Sequence, residues 1–75
     1  MAERIGVLVV GTGYATEFLH LPNLAKIPEV RTVGIVSRSL EKARLVARRF
    51  GIEGCYTDFN QALKREDVCV VDLNL

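Results

Sequence analysis

The chain has no tryptophan, one histidine, one methionine, two prolines and two cysteines in 75 residues. An excess of charge of one sign is also lacking: Lys and Arg number 10 and Asp and Glu 9, a formal net charge of +1. Without a basic stripe among aromatic residues, no nucleic-acid partner is expected. Arg44, Arg48 and Arg49 are close in sequence, but Glu41 and Glu53 flank them, and they read as the wet side of a helix. No run approaches the ~18 apolar residues of a membrane span, and Met1-Ala2-Glu3-Arg4 opens without a long apolar signal region. No membrane partner is therefore expected. Cys55 and Cys69 supply neither a disulfide framework nor a four-ligand zinc site. Both lie in apolar surroundings, so reduced, buried thiols, a cytoplasmic location and no metal are expected. A Gly-Lys-Ser/Thr phosphate loop is missing, which excludes a P-loop nucleotidase.

What is present is an ordinary globular composition, 49% hydrophobic and 25% charged, with the apolar residues in regular runs. Ile5–Val10 is continuously apolar and rich in Val and Ile, as a strand covered on both faces must be. A helix is expected from Gly13 or Tyr14 to about Leu21, ended or bent by Pro22, with a short turn over Asn23–Ile27. Arg31–Val36 reads as a second strand. Ser39 is placed to cap a helix over Leu40–Phe50, with Leu40, Ala43, Val46 or Ala47, and Phe50 on one face and Gly51 as a left-handed stop. Gly54–Tyr56 reads as a third strand. Asp58 is placed to cap a helix from Phe59 to about Lys64, with Gln61 completing a capping box. Val68–Leu73 reads as a fourth strand. Alternating strands and helices predict an α/β fold: a parallel, Rossmann-like sheet with right-handed crossovers, its first four strands in the order 3-2-1-4.

The chemistry concentrates at Gly11-Thr12-Gly13. A glycine pair that follows a buried-type strand and opens a helix is the context of a dinucleotide turn. Gly11 makes the turn, Gly13 admits a pyrophosphate, and backbone N–H groups of Thr12, Gly13, Tyr14 and Ala15 would hold the phosphates. Tyr14 is a candidate cover for the nicotinamide side. Thr16 stands at the third fingerprint position, where a smaller residue is usual. A plain strand–helix turn, a flavin site and a mononucleotide fold remain open on these residues alone.

The tip of the second strand bears on cofactor choice. NAD sites place a carboxylate here for the ribose hydroxyls. This chain has Ser37, Arg38 and Ser39 instead. Arg offers a bidentate, charge-assisted clamp for a 2′-phosphate, and Lys42 lies one turn further on. NADP is expected ahead of NAD. Leu73 and Asn74, at the carboxyl end of the fourth strand, are candidate cofactor contacts, since open parallel sheets bind ligands at that end. Asp72 is read either as a cofactor neighbour or as a structural hydrogen-bonding group. His20 has no nameable orienting partner and reads as a packed or backbone-bonded side chain. No catalytic constellation can be assembled from these residues.

The order of Arg4-Ile5-Gly6-Val7, Gly11-Thr12-Gly13, His20-Leu21-Pro22 with Leu24, Val33–Arg38, Ala43, Ala47, Phe50-Gly51-Ile52, Tyr56-Thr57-Asp58 and Asp67–Leu75 resembles the N-terminal part of the glucose–fructose oxidoreductase / inositol dehydrogenase family (Gfo/Idh/MocA). The resemblance covers nearly the whole chain. It implies that residues 1–75 are the N-terminal part of an NAD(P)-binding Rossmann domain, with a C-terminal substrate domain outside the chain. It further implies hydride transfer to or from a sugar, cyclitol or related hydroxyl/carbonyl compound, and a homodimer or homotetramer. The family's Glu-Lys-Pro and Asp-x-x-x-His motifs have no counterpart here, so no catalytic residue is assigned and the chain alone is expected to be inactive. Thr16 and Ser37 depart from the family pattern. The alternatives are a non-catalytic dinucleotide-sensing domain and a structural fragment that binds no cofactor alone.

Overall fold

The computed structural model describes residues 4–11, 13 and 20–73. The elements are β1 (Ile5–Val10), α1 (Leu21–Ala25), β2 (Val30–Val36), α2 (Leu40–Phe50), β3 (Gly54–Tyr56), α3 (Phe59–Leu63) and β4 (Val70–Leu73). All strand pairs are parallel and the sheet order is β3-β2-β1-β4, as the alternating pattern predicts.

The continuous apolar run of β1 follows from burial on two faces. Side chains alternate across a strand. Val7 and Val9 join Leu21, Ile35, Ala43, Val46, Ala47 and Ile52 on the face covered by α1 and α2. Leu8 joins Val36 and Ala62 on the opposite face, under α3. Leu8, Val9 and Ile35 are fully buried, so the centre of the sheet is dry on both sides. The first side carries more buried side chains than the second, and Phe59, Leu63, Val70 and Leu73 remain exposed around α3 and β4.

Helix α2 forms where its start and stop signals agree. Ser39 Oγ accepts from Lys42 N at 3.2 Å, and Gly51 ends the helix at φ 67°, ψ 33°. Ala43, Val46 and Ala47 face the sheet, whereas Leu40 sits at the margin. Gly51→Ala puts a Cβ into a left-handed position, where an L side chain costs roughly 1–2 kcal/mol. We expect that loss in urea unfolding with an unchanged m value.

Several local expectations are corrected. Helical backbone continues past Pro22 rather than ending there, and a bend before it would involve residues outside those described. Pro22 lies in the first turn of α1, and His20 before it already has helical dihedrals (φ −70°, ψ −52°). Proline is tolerated in a first turn because its missing N–H has no partner there. The expected helix over residues 14–19 falls outside the described residues. Asp58 caps α3 through Asn60 N at 2.9 Å rather than pairing reciprocally with Gln61. Strand β4 begins at Val70, later than expected, and Cys69 precedes it. Cys69 is exposed and Cys55 half-buried, both as free thiols; neither is a fully buried core thiol. Cys69 lies in the entry to a strand at the sheet margin, held by Cys69 N donating to Gly6 O at 2.8 Å.

The turn into β4 is clasped by Arg65. Its guanidinium donates to both Asp67 carboxylate oxygens, at 2.8 and 2.9 Å, and to Tyr56 Oη at 3.1 Å. The hydrogen bond from Arg65 holds the Asp67 carboxyl below the usual carboxylate range. A lowered folded pKa gives stability above the unfolded value of about 4, lost as pH falls through the folded pKa. Urea midpoints of wild type and Asp67→Asn should therefore differ at neutral pH and converge in acid.

Candidate functional site

The ends of all four strands lie along the carboxyl edge of the sheet. β1 runs into Gly11, whose φ of 116° places it where side-chain-bearing residues are rarely found. Gly11 N donates to Val36 O at 2.7 Å, seating the turn beside the end of β2. Ser37 N in turn donates to Tyr56 O at 2.9 Å, joining that end to β3. On the other side of β1, Val9 pairs with Asp72 and Val10 with Leu73. The candidates Gly11, Ser37 and Leu73 thus lie at one edge, brought there by parallel register.

Gly13 differs from Gly11. It is exposed, its φ lies outside the left-handed range, and no atom of the described residues comes within 4 Å of a Cβ built on it. Neither the backbone nor packing among the described residues requires a glycine there. Among the described residues nothing at Gly13 bars a close-approaching ligand such as a pyrophosphate, and the Gly11 and Gly13 backbone is compatible with a dinucleotide turn. Thr12, Tyr14, Ala15, Thr16 and Asn74, also singled out by sequence, lie outside the described residues.

The loop after β2 divides its labour. Ser37 is buried, and its Oγ accepts from Ser39 N at 3.2 Å, which shapes the loop. Ser39 Oγ caps α2. Arg38 and Lys42 are exposed and make no ion pair or side-chain hydrogen bond among the described residues. A loop held by its serines presents a charged guanidinium to solvent beside the glycine turn.

The sequence reading missed a pair. His20 Nδ1 lies 3.3 Å from Asp72 Oδ2, so the histidine has an orienting partner after all. Register explains the meeting. Asp72 pairs with Val9 and lies on the same face as that buried side chain, while Val71 packs with Leu8 on the other. Helix α1 covers the Val9 face through Leu21, one residue after His20. A carboxylate inside an apolar strand run was the available signal, since such a group needs a partner.

A cavity of about 630 Å³ lies at the opposite, amino end of the sheet, lined by Arg4, Gly6, Arg31, Val33, Glu66, Asp67 and Cys69. Its charges are already paired in part, Arg31 with Glu53 at 3.3 Å and Asp67 with Arg65. It shares no residue with the carboxyl edge. Among the described residues, no helix is long and apolar enough to cross a membrane. No group of three or more His, Cys, Asp and Glu among them is placed to hold a metal ion.

Comparison with known proteins places this geometry. The model of an oxidoreductase family with an NAD-binding Rossmann fold, Gfo/Idh/MocA, matches residues 5–74. A 4-carboxy-2-hydroxymuconate-6-semialdehyde dehydrogenase from Sphingobium sp. (strain NBRC 103272 / SYK-6) is 43% identical over 54 residues, covering 72% of this chain and 17% of its own. The crystal structure of GenD2 from gentamicin A biosynthesis, in complex with NAD, superposes with a TM-score of 0.89 at 32% identity, over 100% of this chain and 21% of its own. KijD10, a 3-ketoreductase from Actinomadura kijaniata in complex with NADP and TDP-benzene, superposes with a TM-score of 0.84 at 30% identity, over 92% of this chain and 21% of its own. The chain spans about a fifth of the length of these relatives.

Proposed function

The chain belongs to the Gfo/Idh/MocA oxidoreductase family, and from that membership we propose that it is the N-terminal part of the NAD(P)-binding domain of a longer, NADP-preferring oxidoreductase. The observation that carries the cofactor preference is Arg38. It is exposed beside the glycine turn, on a Ser-Arg-Ser loop that offers no carboxylate to repel a 2′-phosphate. Gly11 and Gly13 receive the pyrophosphate, with Thr12, Tyr14 and Ala15 assigned to the same turn by sequence position. Ser39 and Lys42 stand beside Arg38, Ser37 holds the loop, and Leu73, with Asn74 assigned by sequence position, contacts the cofactor.

The bound nicotinamide would supply the hydride donor or acceptor. This chain's residues bind and orient it. Backbone N–H groups at the turn need no charged side chain to hold phosphate, and Arg38 distinguishes the adenosine end. The substrate is a sugar, cyclitol or related hydroxyl/carbonyl compound, bound by a further domain. KijD10, a 3-ketoreductase, supports a carbonyl substrate. Oligomers through that further domain and a cytoplasmic setting belong to the same proposal.

The test is nicotinamide absorbance during turnover by the full-length protein, with a panel of keto sugars and simple carbonyl compounds. Substrate-dependent oxidation of NADPH, faster than that of NADH, is expected. Saturable cofactor binding without turnover on any carbonyl or hydroxyl compound would favour a dinucleotide sensor instead.

A further inference from the structure

We infer that the His20–Asp72 pair is a positioning device for the cofactor, tying the start of α1 to the tip of β4. This rests on the dinucleotide reading. His20 is the residue before α1, and its imidazole makes no capping bond to that helix. The ring faces the Asp72 carboxylate instead, at 3.3 Å. Asp72 is next to Leu73, the residue at the carboxyl tip of β4, and β4 is an outer strand of the sheet. The pair therefore joins the residue before α1 to β4 one residue from that strand's carboxyl tip, at the edge where the proposed cofactor site lies.

The pair is ill-suited to a mainly stabilising role. The side chains of His20 and Asp72 are 42% and 28% exposed, and a half-exposed ion pair contributes little to stability. Buried apolar groups on the same face, Val9 and Leu21, hold α1 to the sheet without it. What the pair adds is direction: Nδ1, 3.3 Å from one carboxylate oxygen, restricts the rotamers of both side chains at that edge. Preorganisation of this kind appears in ligand affinity, because the ordering is complete before binding.

The experiment is titration of the full-length protein with NADPH, comparing wild type with His20→Leu, His20→Asn and His20→Gln. The asparagine amide nitrogen lies nearest the place of Nδ1; the glutamine nitrogen reaches the place of Nε2. His20→Leu and His20→Gln should weaken NADPH binding about three- to tenfold, the scale of one hydrogen bond. His20→Asn should stay within about twofold of wild type. In steady state the loss should fall on the KM for NADPH and leave kcat unchanged. Wild-type affinity in His20→Leu or His20→Gln overturns the inference, as does rescue by glutamine and not asparagine, which would assign the role to Nε2. The asparagine and glutamine variants decide the matter alone if the leucine variant fails to fold. A wild-type protein that binds neither NADPH nor NADH overturns the dinucleotide reading, and this inference with it.

Discussion

Gly13→Val is expected to weaken cofactor binding about 5- to 150-fold while leaving the protein folded. Two observations separate these effects. Gly13 has no left-handed backbone to protect, and no atom of the described residues lies within 4 Å of its built Cβ. An exposed substitution of that kind usually changes stability by no more than about 0.5 kcal/mol. A ligand that approaches the backbone meets the new methyl groups directly. Forcing extra methyl groups into a closed contact costs about 1–3 kcal/mol, or about 5- to 150-fold in Kd. Thermal unfolding and NADPH titration on the same sample check both halves. Normal affinity in the variant would show that Gly13 faces no ligand. Gly11 cannot serve for this test, because its φ of 116° makes any side chain there a backbone problem first.

Arg38→Ala should weaken NADPH about 10- to 100-fold, the range of a charge-assisted hydrogen bond to phosphate, and leave NADH within about twofold. Arg38 is exposed and engages no described partner, so its removal should not disturb the fold. Ser37, by contrast, is a poor choice for the same question. Its buried hydroxyl accepts from Ser39 N, so a loss there would mix loop collapse with lost binding. Arg38→Glu should go further and reverse the preference, since a carboxylate repels the 2′-phosphate and accepts from ribose hydroxyls. A parallel loss of NADPH and NADH affinity in Arg38→Ala would place Arg38 on a part common to both cofactors.

The fold was legible where local chemistry and packing point the same way. Ser39 and Gly51 bound α2 as written, and the unbroken apolar run of β1 declared burial on two faces. Alternation of strands and helices was enough for a parallel sheet, and the Rossmann-like reading supplied the order 3-2-1-4. Local signals failed where two readings compete. Pro22 reads equally as the end of one helix or as part of the first turn of another, and only the path of the chain decides. Cys69 looked buried because its sequence neighbours are apolar, yet it lies in the entry to an outer strand.

The site was half legible for a similar reason. Gly11, Gly13 and Arg38 belong to short segments whose spacing carries their meaning. His20 and Asp72 are far apart in sequence, and their meeting depends on β1–β4 register and on the face that α1 covers. Neither quantity can be read from spacing. The carboxylate within Val70–Leu73 was the only hint that a partner would be needed.

The most direct measurement is a parallel calorimetric titration of the full-length protein with NADPH and NADH. Saturable binding of both, tighter for NADPH, with the difference removed by Arg38→Ala, is the result expected. Equal or tighter binding of NADH by the wild type would contradict the assignment of Arg38 to the 2′-phosphate. Absence of binding by either would contradict the dinucleotide site itself.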